Sequence, residues 1–200
     1  MDKFKSALDT LLSRIAISIP EHADPVSAVI TGGTATYLYT EARASDDIDM
    51  IISHRIEQFP GDLHVVWEEG GEERKLGFDY NYNPTLGLLH EDYLSRTISY
   101  KTFNGRFLVS LLSPIDIIVS KILRFEENDE RDIKALAEKF KITAEDVFKL
   151  TDDAIKVGVG FREEKPGMDP RTDKRHHFRL NVSGKNLRES AFTALPPATA

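Results

Sequence analysis

The chain has 200 residues, 40% of them hydrophobic, which is enough for one domain with a buried core and an additional segment. It contains no cysteine, which excludes disulfides, thiolate metal sites and a cysteine nucleophile. The formal net charge is −7, but it is uneven along the chain. Residues up to Phe161 include 18 basic and 28 acidic residues, whereas the residues after Phe161 include eight basic and five acidic ones. The acidic first part argues against broad affinity for nucleic acid.

The N-terminal segment is predicted to be an amphipathic helix. Its apolar residues recur at helical spacing over residues 4–17, and Pro20 follows. The segment lacks the uninterrupted apolar stretch of a secretory signal, and no apolar run in the chain approaches the roughly 20 residues that a membrane helix needs. We therefore expect a cytoplasmic protein with no membrane partner.

Short β-rich and helical runs follow in alternation. Four runs are predicted strands, at residues 25–30, 47–53, 62–69 and 75–82. A helix is predicted at residues 34–42, directly after Gly32-Gly33. In the last of the four strands apolar side chains alternate with polar ones, which places Asp79 on the polar face.

One hairpin and several helices are predicted in the second half of the chain. Asn104-Gly105 predicts a hairpin turn because both residues accept positive φ. Helices are predicted at residues 89–96, from Ser113-Pro114 onward, at residues 129–140 and after the capping residue Thr143. Beyond Gly158 the chain has no periodicity, apart from a strand-like run at residues 176–183.

These elements predict an α+β fold with a mixed β-sheet core, flanking helices and a helical C-terminal part. Residues 1–112 are predicted to form the α/β core and residues 113–158 the C-terminal helices. Residues 159–200 are predicted to be an irregular basic tail, which is compatible with a polyanionic partner or with a solvated extension that has none.

The glycine pair is the first candidate binding feature. Gly32-Gly33 lies between a predicted strand and a predicted helix, where glycine lets the backbone turn sharply and approach a ligand closely. Thr34 follows at the start of the helix, and helix N-termini bind phosphate through free N–H groups and the helix dipole. The alternative is an ordinary turn with no ligand.

Asp47 and Asp49 are the second candidate feature. They are two residues apart on a predicted strand, so both carboxylates lie on one face. Two carboxylates that close repel unless they share a divalent cation, and Mg²⁺ is the usual choice when substrate phosphates complete its shell. The alternative is a solvated strand end, but Ile48 and Met50 flank the acids with residues typical of a core.

Together these motifs resemble the signature of the DNA-polymerase-β-like nucleotidyltransferase superfamily. That signature is a glycine pair or Gly-Ser, a spacer, and then Asp-hydrophobic-Asp-hydrophobic. Here it reads Gly32-Gly33, thirteen residues from Thr34 to Asp46, and Asp47-Ile48-Asp49-Met50. The resemblance implies that Gly32, Gly33 and Thr34 bind the nucleotide and that Asp47 and Asp49 are catalytic ligands of two Mg²⁺ ions.

The resemblance also implies a third carboxylate on a later strand, as metal ligand and as base for the acceptor hydroxyl. Asp79 matches by its strand and by its polar face, with Glu68 and Glu69 as substitutes. The alternative for Asp79 is a polar residue on a solvated strand face.

The downstream helices resemble a narrower branch, the abortive-infection AbiEii-like group of bacterial nucleotidyltransferases. Its helical pattern of Lys, Arg, an Arg/Asp-rich break and a helix-opening Asp is matched here by Lys121, Arg124, Arg131 and Asp132. The resemblance implies that Lys121, Arg124 and Asp132 bind the nucleotide and that Lys121 is catalytic. The alternative is a set of ion pairs in which Lys121 is bonded to Glu126, Glu127 or Asp132.

The implied activity is Mg²⁺-dependent transfer of a nucleoside monophosphate from a nucleoside triphosphate, such as ATP, to an acceptor hydroxyl. Toxin-like members act on RNA, notably tRNA ends, and are paired with an antitoxin partner. Other relatives modify a partner protein or a small-molecule hydroxyl. A different class of answer is an antitoxin-type or regulatory module on a catalytically inactive scaffold that still binds a nucleotide.

Overall fold

The computed structural model of the chain describes residues 2–54, 56, 63–79, 88–122 and 127–158. The chain divides into two compact units, one made of Met1–Pro84 with Ser95–Ser113 and the other of Thr85–Leu94 with Pro114–Ala200. The predicted tail 159–200 and Arg124 lie outside the described residues.

The first unit contains helices and strands in the predicted order. Its elements are α1 (Lys3–Ile17), β1 (Val26–Ile30), α2 (Gly32–Thr40), β2 (Asp47–Ile48), β3 (Met50–Ile52), β4 (His64–Glu69), β5 (Glu72–Phe78), β6 (Ile98–Phe103) and β7 (Phe107–Leu111). Before β6, the short helix predicted at residues 89–96 is a 3₁₀ helix at Glu91–Arg96, and its residues up to Leu94 belong to the second unit. The predicted α+β class is confirmed.

The strands of the first unit form two mixed sheets. One sheet has the order β3-β1-β7-β6, with β1 parallel to β7 and antiparallel to β3. The other has the order β2-β5-β4, with β2 parallel to β5. The single strand predicted at residues 47–53 is therefore divided at Asp49, because Asp47 and Ile48 pair with β5 whereas the residues after Asp49 pair with β1.

Glycine-containing turns close both hairpins of the first unit. Asn104 and Gly105 have φ of 49° and 66°, which confirms the predicted turn between β6 and β7. Gly70 and Gly71, with φ of 64° and 85°, connect β4 to β5, so β5 starts at Glu72 and not at the predicted residue 75. The first residues of β5 are exposed and polar, so no alternation of apolar side chains indicates them.

Helix α1 supplies a large part of the core of this unit. The buried residues of the helix are Phe4, Ala7, Leu8, Leu11, Leu12, Ile15 and Ala16. The Phe4 ring lies 4.4 Å from the Tyr37 ring and 6.1 Å from the Trp67 ring, centroid to centroid, which joins α1 to α2 and β4. The Tyr39 hydroxyl donates to the Leu112 carbonyl at 3.1 Å, and burial raises the pKa of Tyr39 to about 12. Helix α2 is thus fixed by packing on both sides.

The second unit contains α3 (Pro114–Ile122), α4 (Glu127–Phe140) and α5 (Ala144–Gly158). Helix α3 begins at Pro114 as predicted, since the missing N–H of proline is harmless at the first helical position. The buried apolar residues of these helices include Ile117, Ile118, Val119, Ile133, Leu136, Ala137, Val147 and Ala154. Within the described ranges, no helix is both long enough and apolar enough to cross a membrane.

The capping box at the start of α5 gives a pH-dependent prediction. The Thr143 hydroxyl and N–H donate to Asp146 Oδ2 at 2.7 and 3.0 Å, and these bonds lower the pKa of Asp146 below its usual 3.8. A lowered pKa stabilises the fold above pH ~4, and this contribution is lost as the pH falls through the lowered value. We expect Asp146→Asn to reduce the free energy of unfolding by about 0.5 kcal/mol at pH 7, since the site is exposed.

Urea denaturation of wild type and Asp146→Asn between pH 7 and the lowest pH at which both are folded measures this effect. The difference between the two proteins should shrink below pH ~4, because the wild-type carboxylate becomes protonated there. A difference that is constant over the whole range contradicts the prediction.

Candidate active site

The site is built on the turn between β1 and α2. Thr31 is the N-cap of α2 in an extended conformation, and Gly32 follows with φ of +59°. This left-handed conformation favours glycine and lets the chain enter the helix directly from the strand. The first N–H groups of α2 have no acceptor inside the helix, so they form the kind of N-terminus that binds anions.

The Asp49 carboxylate lies against this turn. A Cβ atom placed on Gly32 would be 2.5 Å from Asp49 Oδ2, so a side chain there would displace the carboxylate. The backbone fixes the approach, because the Thr31 N–H donates to the Asp49 carbonyl at 2.9 Å and extends the pairing of β1 with β3. The second acid of the motif therefore lies directly at the glycine pair.

Asp47 is linked to the turn at Gly32-Gly33 by a hydrogen bond with Ser45. The Ser45 hydroxyl donates to Asp47 Oδ1 at 2.8 Å, and Ser45 is only 8% exposed. A Cβ atom on Gly33 would lie 2.9 Å from Ser45 Oγ and 3.5 Å from Arg43 Nη2. Both glycines thus lie against side chains of the segment that carries the two aspartates.

Thr34 also joins α2 to β2. Its hydroxyl is buried and donates to the Asp47 carbonyl at 2.7 Å. The side chain therefore fixes the strand that carries Asp47 against the helix. The predicted contact of Thr34 with phosphate stays a prediction, and it is the backbone N–H that would make it.

Asp79 directly follows β5, the strand that pairs with β2. β2 and β5 run parallel with Asp47 opposite Gly77 and Ile48 opposite Phe78, and the Asp79 N–H donates to the Ile48 carbonyl at 3.3 Å. Ile48 and Phe78 are buried, so the alternate residues of both strands lie on the other face. The Asp79 backbone is therefore held next to β2 at Ile48, and its role as the third carboxylate stays a prediction.

Whether Mg²⁺ can bind at these residues depends on the chemistry of their donor atoms. Asp47 and Asp49 supply the carboxylate oxygens that Mg²⁺ prefers, and Mg²⁺ commonly binds one or two carboxylates and takes its other ligands from phosphates and water. Across the ranges described above, no three His, Cys, Asp or Glu side chains are close enough together to hold a metal ion. The residues therefore fit a two-carboxylate site completed by a substrate, with Asp79 as a predicted further ligand.

The predicted residues of the helical part belong to the second unit. Lys121 Nζ lies 2.7 Å from Asp129 Oδ1 and 2.9 Å from Asp132 Oδ2, and all three side chains are at least 95% buried. The ion pair with Asp132 is the one that the sequence offered as the alternative to nucleotide binding. Arg131 is exposed, and contact of Lys121 or Asp132 with a nucleotide stays a prediction.

The sequence does not predict Ser45, Arg43 or Asp129 as site residues. Ser45 lies two residues before Asp47, the spacing that places side chains on one face of an extended segment, so a signal was present. Arg43 brings a positive charge next to Gly33, and basic residues near a glycine turn are a weaker signal. Asp129 had no separate signal, since it lies eight residues from Lys121 across a break between helices.

Replacement of Gly32 by alanine tests the close approach of Asp49. We expect Gly32→Ala to lower the free energy of unfolding by roughly 1–3 kcal/mol, because alanine disfavours positive φ and its Cβ would displace the end of the Asp49 side chain. Gly70→Ala and Gly105→Ala are matched controls, with φ of +64° and +66° and nothing within 4 Å of an added Cβ.

The controls should lose only the conformational part, about 1–2 kcal/mol. Urea denaturation of the three variants measures the difference. Equal losses in all three would show that displacement of the Asp49 carboxylate from Gly32 costs no stability.

Comparison with known proteins gives the family. The family described as nucleotidyltransferase of unknown function (DUF6036) matches residues 6–172. A search of curated proteins found no match. Among solved structures, an antigenic nucleotidyltransferase-like protein from Paracoccidioides brasiliensis is 20% identical, with a TM-score of 0.40 over 98% of this chain and 95% of that chain, a likeness too distant to assign a function. Since the family match spans most of the sequence, the chain belongs to the DUF6036 family of nucleotidyltransferases of unknown function.

Proposed function

We propose that the chain transfers a nucleoside monophosphate from a nucleoside triphosphate to an acceptor hydroxyl at the turn formed by Gly32 and Gly33. The observation that carries the proposal is the Asp49 carboxylate, which lies 2.5 Å from the position of a Gly32 Cβ. The proposal requires the glycine turn and the two carboxylates to lie close together, and it is supported by the position of Asp49 against Gly32 and by the bond of Asp47 to Ser45. The family supports the general activity.

The turn binds the triphosphate in this proposal. The N–H groups of Gly33 and Thr34 at the start of α2 donate to phosphate oxygens, and the helix dipole favours the negative charge. The Arg43 guanidinium, close to Gly33, adds a positive charge at the same place. The absence of side chains at the glycines lets the phosphates approach the backbone.

The carboxylates carry the chemistry. Asp47 and Asp49 would hold Mg²⁺, which when bound neutralises phosphate charge and orients the attacking and leaving oxygens. Asp79 accepts the proton of the acceptor hydroxyl while the bond from its oxygen to the α-phosphorus forms and the bond to the leaving pyrophosphate breaks. Two ions and a ligand role for Asp79 belong to the proposal by resemblance to the superfamily.

Lys121, Arg124 and Asp132 enter the proposal through the sequence resemblance alone. Lys121 would offset the charge that develops on pyrophosphate, and the other two would assist in binding the nucleotide. Membership of the AbiEii-like branch is proposed on the same ground.

For the acceptor we propose a tRNA end, with the chain as the toxin-like member of a toxin–antitoxin or abortive-infection pair. The eight basic residues after Phe161 support a polyanionic acceptor. The acidic remainder of the chain disfavours general binding of nucleic acid, which is consistent with an acceptor recognised at one end only. Modification of a partner protein is the competing acceptor class.

A second candidate function is a nucleotide-binding module without transfer activity. It is favoured by one observation, that no group of three metal-binding side chains is assembled within the described ranges. Such a module would bind a triphosphate at Gly32-Gly33 and lack the third ligand that transfer requires.

Incubation of the protein with each labelled nucleoside triphosphate and Mg²⁺ tests the proposal. One series contains total tRNA and the other the protein encoded by the neighbouring gene. Label on tRNA supports the toxin-like function, and label on the protein supports the other acceptor. Binding of a triphosphate with no transfer in either series identifies the module, and transfer that persists in EDTA contradicts the metal-dependent mechanism.

A further inference from the structure

Ser45 occupies a position between the two halves of the proposed site. Its side chain is buried and its hydroxyl donates to Asp47 Oδ1 at 2.8 Å. The same oxygen lies 2.9 Å from the position that a Cβ on Gly33 would take, and Ser45 Cβ lies 3.2 Å from it. The serine therefore contacts the glycine turn and the first aspartate at once.

We propose that Ser45 is a positioning residue that orients the Asp47 carboxylate for metal binding, an inference that rests on the proposed function. A carboxylate rotates easily about its terminal bond, which has a broad torsional preference. The hydrogen bond to Oδ1 fixes the carboxylate plane and engages one oxygen, so that Oδ2 is the oxygen directed away from Ser45.

The burial of Ser45 makes this orientation specific. Because Ser45 is 8% exposed and lies against the backbone at Gly33, its hydroxyl has little freedom to turn away from Asp47. Asp47 itself is exposed, so without the serine its carboxylate would sample several rotamers. A residue that orients a metal ligand in this way commonly changes metal affinity or activity by about 10- to 100-fold when it is removed.

Binding of Mn²⁺ in the presence of a non-hydrolysable nucleoside triphosphate analogue, followed by electron paramagnetic resonance, tests the proposal separately from activity. We expect Ser45→Ala to weaken Mn²⁺ binding and to lower kcat, each by about 10- to 100-fold, with a smaller change in the KM for the triphosphate. Ser13→Ala is the control, because the Ser13 hydroxyl donates to the Asp9 carbonyl of α1. This control should match wild type in both measurements.

A double-mutant cycle separates positioning from a general structural effect. If Ser45 acts through Asp47, Ser45→Ala should have no further effect on Mn²⁺ binding in the Asp47→Asn background. An equal effect in both backgrounds overturns the proposal, as does wild-type Mn²⁺ affinity in Ser45→Ala. Ser45→Thr retains the hydroxyl and serves if the alanine variant does not fold, and a folded threonine variant that has lost Mn²⁺ affinity also overturns it.

The results distinguish this proposal from the proposed function. Transfer by wild type that is undiminished in Ser45→Ala overturns the positioning role and leaves the function in place. Mn²⁺ binding that depends on Ser45 through Asp47, in a protein that transfers no nucleotide to any acceptor, overturns the transferase function and supports the positioning role.

Discussion

Asp47→Asn is expected to abolish nucleotidyl transfer while the protein stays folded. Asparagine keeps the shape of the side chain, and its carbonyl oxygen still accepts the hydrogen bond from Ser45, so the contacts at the turn persist. It loses the negative charge that holds Mg²⁺. Because a bound metal contributes several kcal/mol to the transition state, we expect transfer to fall by roughly 10³-fold or more. Transfer of labelled nucleotide measures the rate, and thermal unfolding checks the fold.

Asp46→Asn is the matched control for this variant. Asp46 is exposed and precedes Asp47 directly, so the same chemical change is made one residue away. Its carbonyl accepts from the Gly77 N–H, and this backbone bond does not depend on the side chain. We expect wild-type transfer in Asp46→Asn. Comparable activity in the Asp46 and Asp47 variants would remove Asp47 from the mechanism.

The sequence predicts the two halves of the site but not the contact between them. A glycine pair after a strand indicates a turn, and Asp47 and Asp49 two residues apart indicate one face of a strand. The contact depends on the antiparallel pairing of β1 with β3, in which Ile30 lies opposite Met50 and the next pair brings Asp49 to Thr31. Strand partners are set by long-range packing, so a local pattern does not reveal them.

The division of the aspartate strand between two sheets also results from long-range strand pairing. Apolar residues flank Asp49 on both sides, which predicts one continuous strand. The structure gives Ile48 a partner in β5 and Met50 a partner in β1. The polar start of β5 was missed for a different reason, since its exposed residues carry no apolar alternation and only the turn at Gly70-Gly71 indicates a hairpin.

In the helical part, the sequence predicts the helices better than the roles of their charges. Pro114 and Thr143 mark two helix starts that the structure confirms. A lysine late in α3 is equally compatible with a phosphate ligand and with an internal ion pair, because helical spacing gives its face and not its depth. The depth follows from the packing of α3 against α4, which buries Lys121 with Asp129 and Asp132.

Lys121→Met is expected to lower the free energy of unfolding by about 3–5 kcal/mol. The substitution keeps the length of the side chain and removes the ammonium group that lies 2.7 Å from Asp129 and 2.9 Å from Asp132. Both carboxylates would then lose this ammonium group while they stay buried, and removal of one partner from a buried ion pair is strongly destabilising. Urea denaturation followed by circular dichroism measures the loss.

Lys156→Met is the matched control, because Lys156 forms an ion pair of similar length, 2.6 Å to Asp152 Oδ2, but its side chain is 66% exposed. An exposed pair of this kind contributes little, so no measurable change in stability is expected. Equal effects of the two variants would contradict a buried triad.

Loss of nucleotide transfer in Lys121→Met supports the phosphate role of Lys121 only if it exceeds the loss of folded protein, since misfolding alone would abolish activity. Activity at a temperature where the variant is fully folded separates the two effects, and wild-type transfer there would leave Lys121 with a structural role alone.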